Sequence, residues 1–329
     1  MHKRMYGLFA LSTAIILASC SQLPIFWAIE QEIKLAEPAI RGNVYSVVRC
    51  GNDLYAANGN VYKKPLKSVR GWKKISAPPN GAEYLASSNT HVYALSAHEN
   101  NCQVYAFDGN TWQEVSGASG KAEDKDETKK IVIFDNGEEG GGRFAYVRVG
   151  GKVFKLDGAD PVSALGSDIT TNGAGPKTVA CACIDSVDYF SDTRAFCGHK
   201  QTDLYFYSAD GKTIKWGKSF AGLANTSVNT SETITCLIYV QDGTERLIAG
   251  TKKGLEEIKL SNDTDKKPIS AGILGSNAEA AFGESEIFCV AFFNVADNNA
   301  IYTGTGKASA SKHNALWAYY PSRGNWNYE

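Results

Sequence analysis

Cysteine is the residue type in this chain whose number and placement could support chemistry. The sequence contains eight cysteines, and Cys20 stands apart because it ends an apolar N-terminal stretch. The other seven are an odd number, so a complete set of disulfides within one chain is excluded. A cysteine can instead carry a lipid, ligate a metal or stay a buried thiol. The seven are Cys50, Cys102, Cys181, Cys183, Cys197, Cys236 and Cys289.

The N-terminal residues predict export. His2-Lys3-Arg4 is basic, and residues 5–16 are apolar but too few to span a bilayer. The segment ends in Leu17-Ala18-Ser19-Cys20, which resembles the lipobox of bacterial lipoprotein signal peptides. The resemblance implies cleavage between Ser19 and Cys20, diacylglycerol on the Cys20 thiol and acylation of the new amine. Because Ser21 and not Asp follows the cysteine, the resemblance also implies the outer membrane.

A short tether, residues 20–38, joins this lipidation residue to the remainder of the chain. Residues 28–36 alternate apolar and charged side chains, which predicts a strand. That strand could lie beside the last repeat and close a ring of repeats, although Ile29 and Ile33 are also spaced for a short helix. Phe26 and Trp27 either lie at the membrane interface or pack on the folded domain.

The remaining cysteines predict buried thiols, because most of them fall in the first strand of a repeated unit. Cys181-Ala182-Cys183 places two thiols on one face of a strand. Half of a metal site and a local disulfide with Cys197 are the alternatives. No nearby His/Cys pair completes the spacing of a structural zinc site, so no metal is predicted.

Repeated groups of short strands predict the architecture. Each group has apolar or alternating runs separated by turns such as Asn58-Gly59. Groups that start about 40 to 55 residues apart, with four short strands each, predict an all-β fold: a β-propeller of about six four-stranded blades. A seventh blade would need strands from 118–130 or 166–177, whose charged or Gly/Thr/Asn-rich composition argues against them. The six units cover 40–78, 82–117, 129–166, 178–220, 232–273 and 286–329.

Two single repeats resemble known propeller families. Residues 247–255 (L-I-A-G-T-K-K-G-L) resemble the repeat of two-component-regulator sensor propellers, with Ile-Ala replacing the usual Trp-hydrophobic pair. Residues 92–95 followed by 104–109 are similar to the pyrroloquinoline-quinone-type repeat, a family that includes a lipoprotein of the outer-membrane protein assembly machinery. The resemblances imply the architecture and carry little information on function.

Tryptophan recurs at a regular place, which the pattern assigns to the fourth strand of four units. A row of such side chains could bind sugars, but a regular position in the repeat favours packing between blades. Trp317 is assigned to a third strand and to the core. The four tryptophans of the fourth strands are Trp72, Trp112, Trp216 and Trp326.

The candidate catalytic residue types show no catalytic pattern. The mature histidines form no metal motif, several aspartates precede glycine in predicted turns, and residues 140–142 form a glycine run between strands rather than a phosphate loop. Calcium sites at Asp263, Asp265 or Asp297 lack the required spacing. We therefore predict no catalytic residue, no metal ligand and no cofactor. The histidines are His91, His98, His199 and His313, and the turn aspartates are Asp108, Asp157, Asp210 and Asp242.

Together these features predict a signal peptide (1–19), a lipidated tether (20–38) and a propeller domain (39–329). The net charge of −1 gives no basic footprint for nucleic acid. The predicted function is that of a lipid-anchored envelope propeller, a non-enzymatic binding or scaffold module for a protein, peptide or glycan, with unassigned ligand-binding residues. The alternative is a propeller enzyme, either a carbohydrate hydrolase or lyase or a metal-dependent hydrolase, with its site in the central channel.

Overall fold

A computed structural model describes most of one compact unit, Pro38–Glu329. The predicted signal peptide, the lipidation residue Cys20 and the candidate closing strand 28–36 lie outside the described residues. The described ranges are 38–68, 71–88, 90–98, 101–121, 131–135, 143–149, 152–156, 164–165, 179–182, 204–208, 212–217, 228–241, 244–264, 266–295, 298–307 and 313–329.

The described strands form six antiparallel sheets, each made of four strands that follow one another in sequence. The first sheet contains β1 (Ser46–Cys50), β2 (Asp53–Ala57), β3 (Val61–Pro65) and β4 (Lys73–Ile75). The second contains β5 (Tyr84–Ser87), β6 (Val92–His98), β7 (Asn101–Phe107) and β8 (Trp112–Lys121), and the third β9 (Ile131–Asp135), β10 (Arg143–Val149), β11 (Lys152–Leu156) and β12 (Ala164–Leu165).

The other three sheets have the same plan. The fourth contains β13 (Val179–Ala182), β14 (Leu204–Ser208), β15 (Thr213–Gly217) and β16 (Val228–Asn229). The fifth contains β17 (Ile234–Gln241), β18 (Glu245–Thr251), β19 (Gly254–Leu260) and β20 (Pro268–Ile273). The sixth contains β21 (Glu286–Val295), β22 (Asn298–Gly306), β23 (Leu316–Tyr319) and β24 (Trp326–Tyr328).

The prediction of six units of four short strands is confirmed for the described residues, with one unit corrected. In the fourth sheet β14 takes the second place, so Trp216 lies in the third strand, β15, and the predicted assignment to a fourth strand is wrong. The fourth strand, β16, has two residues, too few to show any alternation in sequence. The sequence pattern of this unit also predicts a strand at 194–197, and these residues lie outside the described ones.

The turns follow from local residue chemistry. Gly59 has a φ of 96°, a left-handed conformation that glycine adopts at little cost, and it joins β2 to β3 as the Asn58-Gly59 pair predicts. Asp108 accepts hydrogen bonds from the backbone N–H groups of Asn110 (2.7 Å) and Thr111 (2.8 Å). This is the turn role predicted for Asp108. Asp157, Asp210, Asp242 and residues 140–142 lie outside the described residues.

The hydrophobic core lies between the sheets. Each of five described clusters takes its buried residues from two sheets that are consecutive in sequence, or from the sixth sheet and the first. Among the first strands, β1 contacts both β5 and β21, β5 contacts β9, and β17 contacts both β13 and β21. The sixth sheet therefore packs against the first, although the two are at opposite ends of the sequence of this unit.

Glycines in second strands allow these first strands to approach closely. Gly250 lies opposite Cys236, and Gly304 lies opposite Cys289, each beside a register shift in the first strand. A Cβ on Gly304 would overlap Val44 O and lie 2.9 Å from Val44 C, in the first sheet. The sequence of residues 247–255 predicts a turn at Gly250-Thr251. This prediction is wrong for Gly250, because it lies within β18, where an added Cβ would lie 2.6 Å from Ile287 Cγ2 of the sixth sheet.

One short helix joins the last two sheets. α1 (Ala278–Phe282) follows β20 and buries Ala278, Ala281 and Phe282. Its Phe282 ring contacts Trp317 and Trp326 edge-on, at centroid distances of 5.9 and 5.1 Å. A helix of five residues is too short to show helical periodicity, which explains why the sequence pattern did not indicate it.

Candidate functional site

The first strands of neighbouring sheets are joined by small polar side chains. Ser46 Oγ donates to Glu83 O (3.1 Å) and accepts from the Leu85 N–H (2.9 Å), which links the first sheet to the second. Ser87 Oγ donates to Arg49 O (2.6 Å) across the same junction. In the fifth sheet Thr235 Oγ1 donates to Ile287 O of the sixth. These hydrogen bonds connect the first strands of neighbouring sheets directly.

Three aromatic side chains lie side by side where the first strands of the sixth, first and second sheets begin. We call Phe288, Tyr45 and Tyr84 the aromatic row. The ring centroids of Tyr45 and Phe288 are 4.8 Å apart, and those of Tyr45 and Tyr84 are 5.7 Å apart. All three residues are half-buried. Tyr45 and Phe288 belong to none of the five described core clusters.

Polar groups surround the aromatic row. Lys307 Nζ lies 5.5 Å from the centroid of the Phe288 ring and forms an ion pair with Glu286 (3.0 Å). Asn43 Nδ2 donates to the Tyr45 hydroxyl (3.3 Å), and Asn43 Oδ1 accepts from the Lys307 N–H (3.3 Å). An apolar centre with a polar, charged rim is the usual composition of a protein-binding surface, in which Tyr and Phe are enriched.

A polar cleft of about 650 Å³ lies beside the fifth sheet. Three of its charged residues are paired, because Arg246 Nη1 lies 2.8 Å from Glu257 Oε1 and Lys266 bonds to Glu245. The hydrogen bond from Lys266 lowers the pKa of Glu245, although burial opposes this shift. A carboxyl with a lowered pKa stays ionised at neutral pH and is a poor general acid. Glu245 therefore does not fit the role of general acid in a glycoside hydrolase.

A buried charged cluster joins the sixth sheet to the first. Lys64 in β3 is fully buried, donates to the Tyr302 hydroxyl (2.8 Å) and forms an ion pair with Glu329. Trp72 Nε1 donates to Glu329 Oε2 (2.9 Å), and Lys64 Nζ lies 5.0 Å from the Trp72 ring centroid. Burial lowers the pKa of Lys64, and the Glu329 charge opposes this shift. Burial also raises the pKa of Tyr320, beside Glu329, to about 12.

Trp72, Trp112 and Trp326 pack between sheets, as the regular spacing predicts, and their indole N–H groups reach the neighbouring sheet. Trp112 Nε1 donates to Ser76 O (2.8 Å), next to the first sheet. Trp326 is fully buried and donates to Leu274 O (3.0 Å), at the end of the fifth sheet. Trp72 bonds across the junction of the sixth and first sheets, and Trp317 is buried in the core. Three members of the candidate row, Trp72, Trp112 and Trp326, therefore pack between sheets, and the side chain of Trp216 lies outside the described residues.

The described cysteines stay thiols. Cys50, Cys236 and Cys289 lie in first strands as predicted, and Cys102 is buried in β7. Burial raises the pKa of Cys289 far above its usual range, and the neighbouring Cys236 adds to the shift. A thiol that stays protonated is a poor nucleophile and metal ligand. The Cys181 backbone lies in the first strand β13, and Cys183 and Cys197 lie outside the described residues, so the buried thiols predicted there stay a prediction and the disulfide stays its alternative.

The histidines and acidic residues that the structure describes do not converge. His91 Nδ1 lies 2.8 Å from Thr90 Oγ1, whereas His313 Nδ1 lies 2.6 Å from Ala281 O of α1. Asp263 pairs with Lys267 at 3.6 Å. Within the described ranges no group of three or more His, Cys, Asp or Glu side chains is placed to hold a metal ion. His199, Asp265 and Asp297 lie outside these ranges, and for His98 only the backbone is described.

The sequence patterns did not indicate the aromatic row or the buried Lys64. Each aromatic residue lies at the start of the first strand of its own unit, so an alignment of the units on their first strands would have placed the three together. Lysine is almost never fully buried without a partner, and its partner Glu329 is 265 residues away in sequence, which no local pattern connects.

Comparison with known sequences points to bacterial lipoproteins. A sequence model of the TP013X lipoprotein family matches residues 2–139. A Treponema pallidum (strain Nichols) protein described as "Uncharacterized lipoprotein" is 23% identical over 337 residues, which cover 94% of this chain and 78% of that protein. A second lipoprotein of the same organism is 39% identical over 67 residues, 20% of this chain and 14% of that protein.

Among solved structures, this chain is similar to the β-propeller domain of Cps50 (Swd1) from Myceliophteria thermophila, with a TM-score of 0.45 and 12% identity over 89% of this chain and 87% of that chain. It is also similar to YCF48 bound to D1 peptide, with a TM-score of 0.41 and 10% identity over 88% of this chain and 82% of that chain. No described helix is long and apolar enough to cross a bilayer.

Proposed function

We propose that this chain is a lipoprotein of the TP013X family, held at the outer membrane by lipid on Cys20, whose folded unit is a six-bladed β-propeller that binds a protein partner through the aromatic row. The domain limits follow the sequence: signal peptide 1–19, tether 20–38 and propeller 39–329. The single observation that carries the binding function is the aromatic row, a partly exposed aromatic surface shared by three sheets.

The sequence match supports the lipid anchor. The family match spans residues 2–139 and so includes the Leu17–Cys20 segment. Two or three acyl chains, at about 0.8 kcal/mol per buried CH2, give stable membrane binding where one chain is marginal. Ser21 after the cysteine favours the outer membrane.

The sheet contacts support the propeller. In a series of sheets that pack face to face, each sheet buries both of its faces only if it has a neighbour on either side. The series must therefore continue or close into a ring. The contact of β21 with β1 supports closure, because it brings the sixth sheet against the first. A ring leaves the ends of the first strands at the mouth of a central channel, which is where the aromatic row begins.

The composition of the aromatic row supports a protein partner. Aromatic side chains at the centre of an interface carry much of the binding energy, and about 2 kcal/mol or more is common for one such residue. Ser46 and Asn43 hold the row in place before a partner binds, which lowers the entropy lost on association.

Site-specific photocrosslinking in cells tests this proposal. A photoreactive amino acid replaces Tyr45 in the lipidated chain, and the same amino acid replaces the exposed Gln113 of β8 in a matched control. We expect one discrete protein adduct from position 45 and none from position 113. The adduct should disappear when Phe288→Ala is added, because that substitution removes the neighbouring ring at 4.8 Å.

Two outcomes would contradict the proposal. Equal adducts from both positions would show that the aromatic row is not the binding surface. An adduct with glycan alone, identified by its sensitivity to glycosidase and not to protease, would replace the protein partner with a carbohydrate.

A further inference from the structure

A basic segment stands out in a chain that is close to neutral. Residues 54–82 contain six Lys and Arg residues and no Asp or Glu, whereas the whole chain has a net charge of −1. The segment forms β2 to β4, the outer part of the first sheet. The six cations are Lys63, Lys64, Lys67, Arg70, Lys73 and Lys74.

Two of these cations are paired with carboxylates of the chain, and three others face solvent. Lys64 pairs with Glu329, and Lys63 lies 2.9 Å from Asp53. Lys67, Lys73 and Lys74 are exposed, and none of them has an ion pair among the described residues. We call these three lysines the basic edge, because two of them form the edge strand β4.

The register of the sheet places like charges together. Lys73 of β4 lies directly opposite Lys63 of β3, and like charges in that position destabilise a sheet. Lysine can protect an edge strand from pairing with another chain. The edge strands β20 and β24 contain no Lys or Arg, so this protection is not general in the fold. An anionic partner outside the fold would offset this concentration of positive charge on the first sheet.

The start of the described unit lies next to the basic edge. The Ala39 N–H donates to Glu329 O (2.8 Å). The carboxylate of the same Glu329 bonds to Lys64 and to the indole N–H of Trp72, and Trp72 directly precedes Lys73. The chain that leads back to Cys20 thus leaves the folded unit beside these lysines.

The length of that chain limits how far this surface is from the membrane. Seventeen residues separate Cys20 from Pro38. Even fully extended they span at most about 60 Å, and a flexible coil of this length averages about 20–25 Å. A lipid on Cys20 therefore holds the folded unit close enough for the basic edge to reach the bilayer.

We infer that the basic edge binds the anionic phospholipid headgroups of the membrane in which the lipid is anchored. The folded unit is then held to the membrane by these lysines as well as by the acyl chains on Cys20. The inference rests on the proposed lipid anchor. Lysines near an anionic bilayer contribute cooperatively to binding, and the attraction decreases with salt because it acts over about one Debye length.

Vesicle binding by protein without its lipid tests the inference separately from the anchor. The probe is the mature full chain with Cys20→Ser, mixed with vesicles of phosphatidylcholine alone or of phosphatidylcholine with phosphatidylglycerol. We expect binding to the anionic vesicles only. The triple variant Lys67→Gln/Lys73→Gln/Lys74→Gln should bind roughly 100-fold more weakly. The matched control, Lys252→Gln/Lys253→Gln/Lys259→Gln in the fifth sheet, should change binding less than about threefold.

The other outcomes overturn the inference. Equal binding to neutral vesicles, an equal loss in the control variant, or no binding of the Cys20→Ser chain would each do so. So would preference for heparin or single-stranded DNA over the anionic vesicles, which would identify a different polyanion. Acyl labelling of the unaltered chain in cells measures the anchor itself, so failure of the anchor is distinguished from failure of the basic edge.

Discussion

The substitution Gly304→Ala is expected to lower the free energy of unfolding by about 3 kcal/mol or more, because the new methyl group has no space. It would overlap Val44 O and lie 2.8 Å from Cys289 Sγ. The N–H of the same Val44 donates to Thr305 O (3.2 Å), which holds the Val44 backbone next to β22. To make room for the methyl group, β1 and β22 would have to separate. Denaturant titration, followed by tryptophan fluorescence, measures the change.

Gly272→Ala in β20 is the matched control. A Cβ on Gly272 meets nothing within 4 Å, and the residue is exposed in a strand. We expect its stability to stay within about 0.5 kcal/mol of the unaltered protein. If Gly304→Ala lowered the free energy of unfolding no more than Gly272→Ala does, this result would contradict the close contact between the sixth sheet and the first.

The substitution Lys64→Met is expected to cost about 3–5 kcal/mol of stability, because it leaves the Glu329 carboxylate buried without its cation. The Lys64 and Glu329 side chains are 0% and 4% exposed, so water cannot replace the lost partner. Glu329→Gln should cost a similar amount by leaving the Lys64 ammonium group alone. Denaturant titration of each variant measures these losses.

The double variant Lys64→Met/Glu329→Gln decides whether the pair acts as a unit. Its loss should be well below the sum of the two single losses, because neither charge is then left buried alone. The exposed pair Lys63–Asp53 supplies the comparison, since Lys63→Met should cost less than about 1 kcal/mol. Additive losses in the double variant would show that Lys64 and Glu329 do not stabilise each other.

Most of the fold could be predicted from local patterns. Apolar runs and Gly-containing turns placed nearly every strand of the first, second, fifth and sixth sheets to within a few residues. The pattern was wrong where strands are very short, as at Val228–Asn229, because two residues show no alternation. It was also wrong for Gly250, whose role depends on Ile287 of another sheet.

The candidate site could not be predicted in the same way. Phe288, Tyr45 and Tyr84 are each ordinary strand residues in their own units, and only the packing of three sheets brings their rings together. Lys64 carries no local sign of its burial, since its neighbours Lys63 and Pro65 are partly or fully exposed. Sites formed by contacts between units become visible only when the units are placed in space.

The most direct test of the central claim is the affinity of the purified protein for the partner recovered by crosslinking at position 45. Tyr45→Ala should weaken binding by roughly 30-fold, as expected for an aromatic residue at the centre of an interface, while Gln113→Ala should leave it within about threefold. Unchanged affinity in Tyr45→Ala, with the protein still folded, would contradict the claim that the aromatic row is the binding surface.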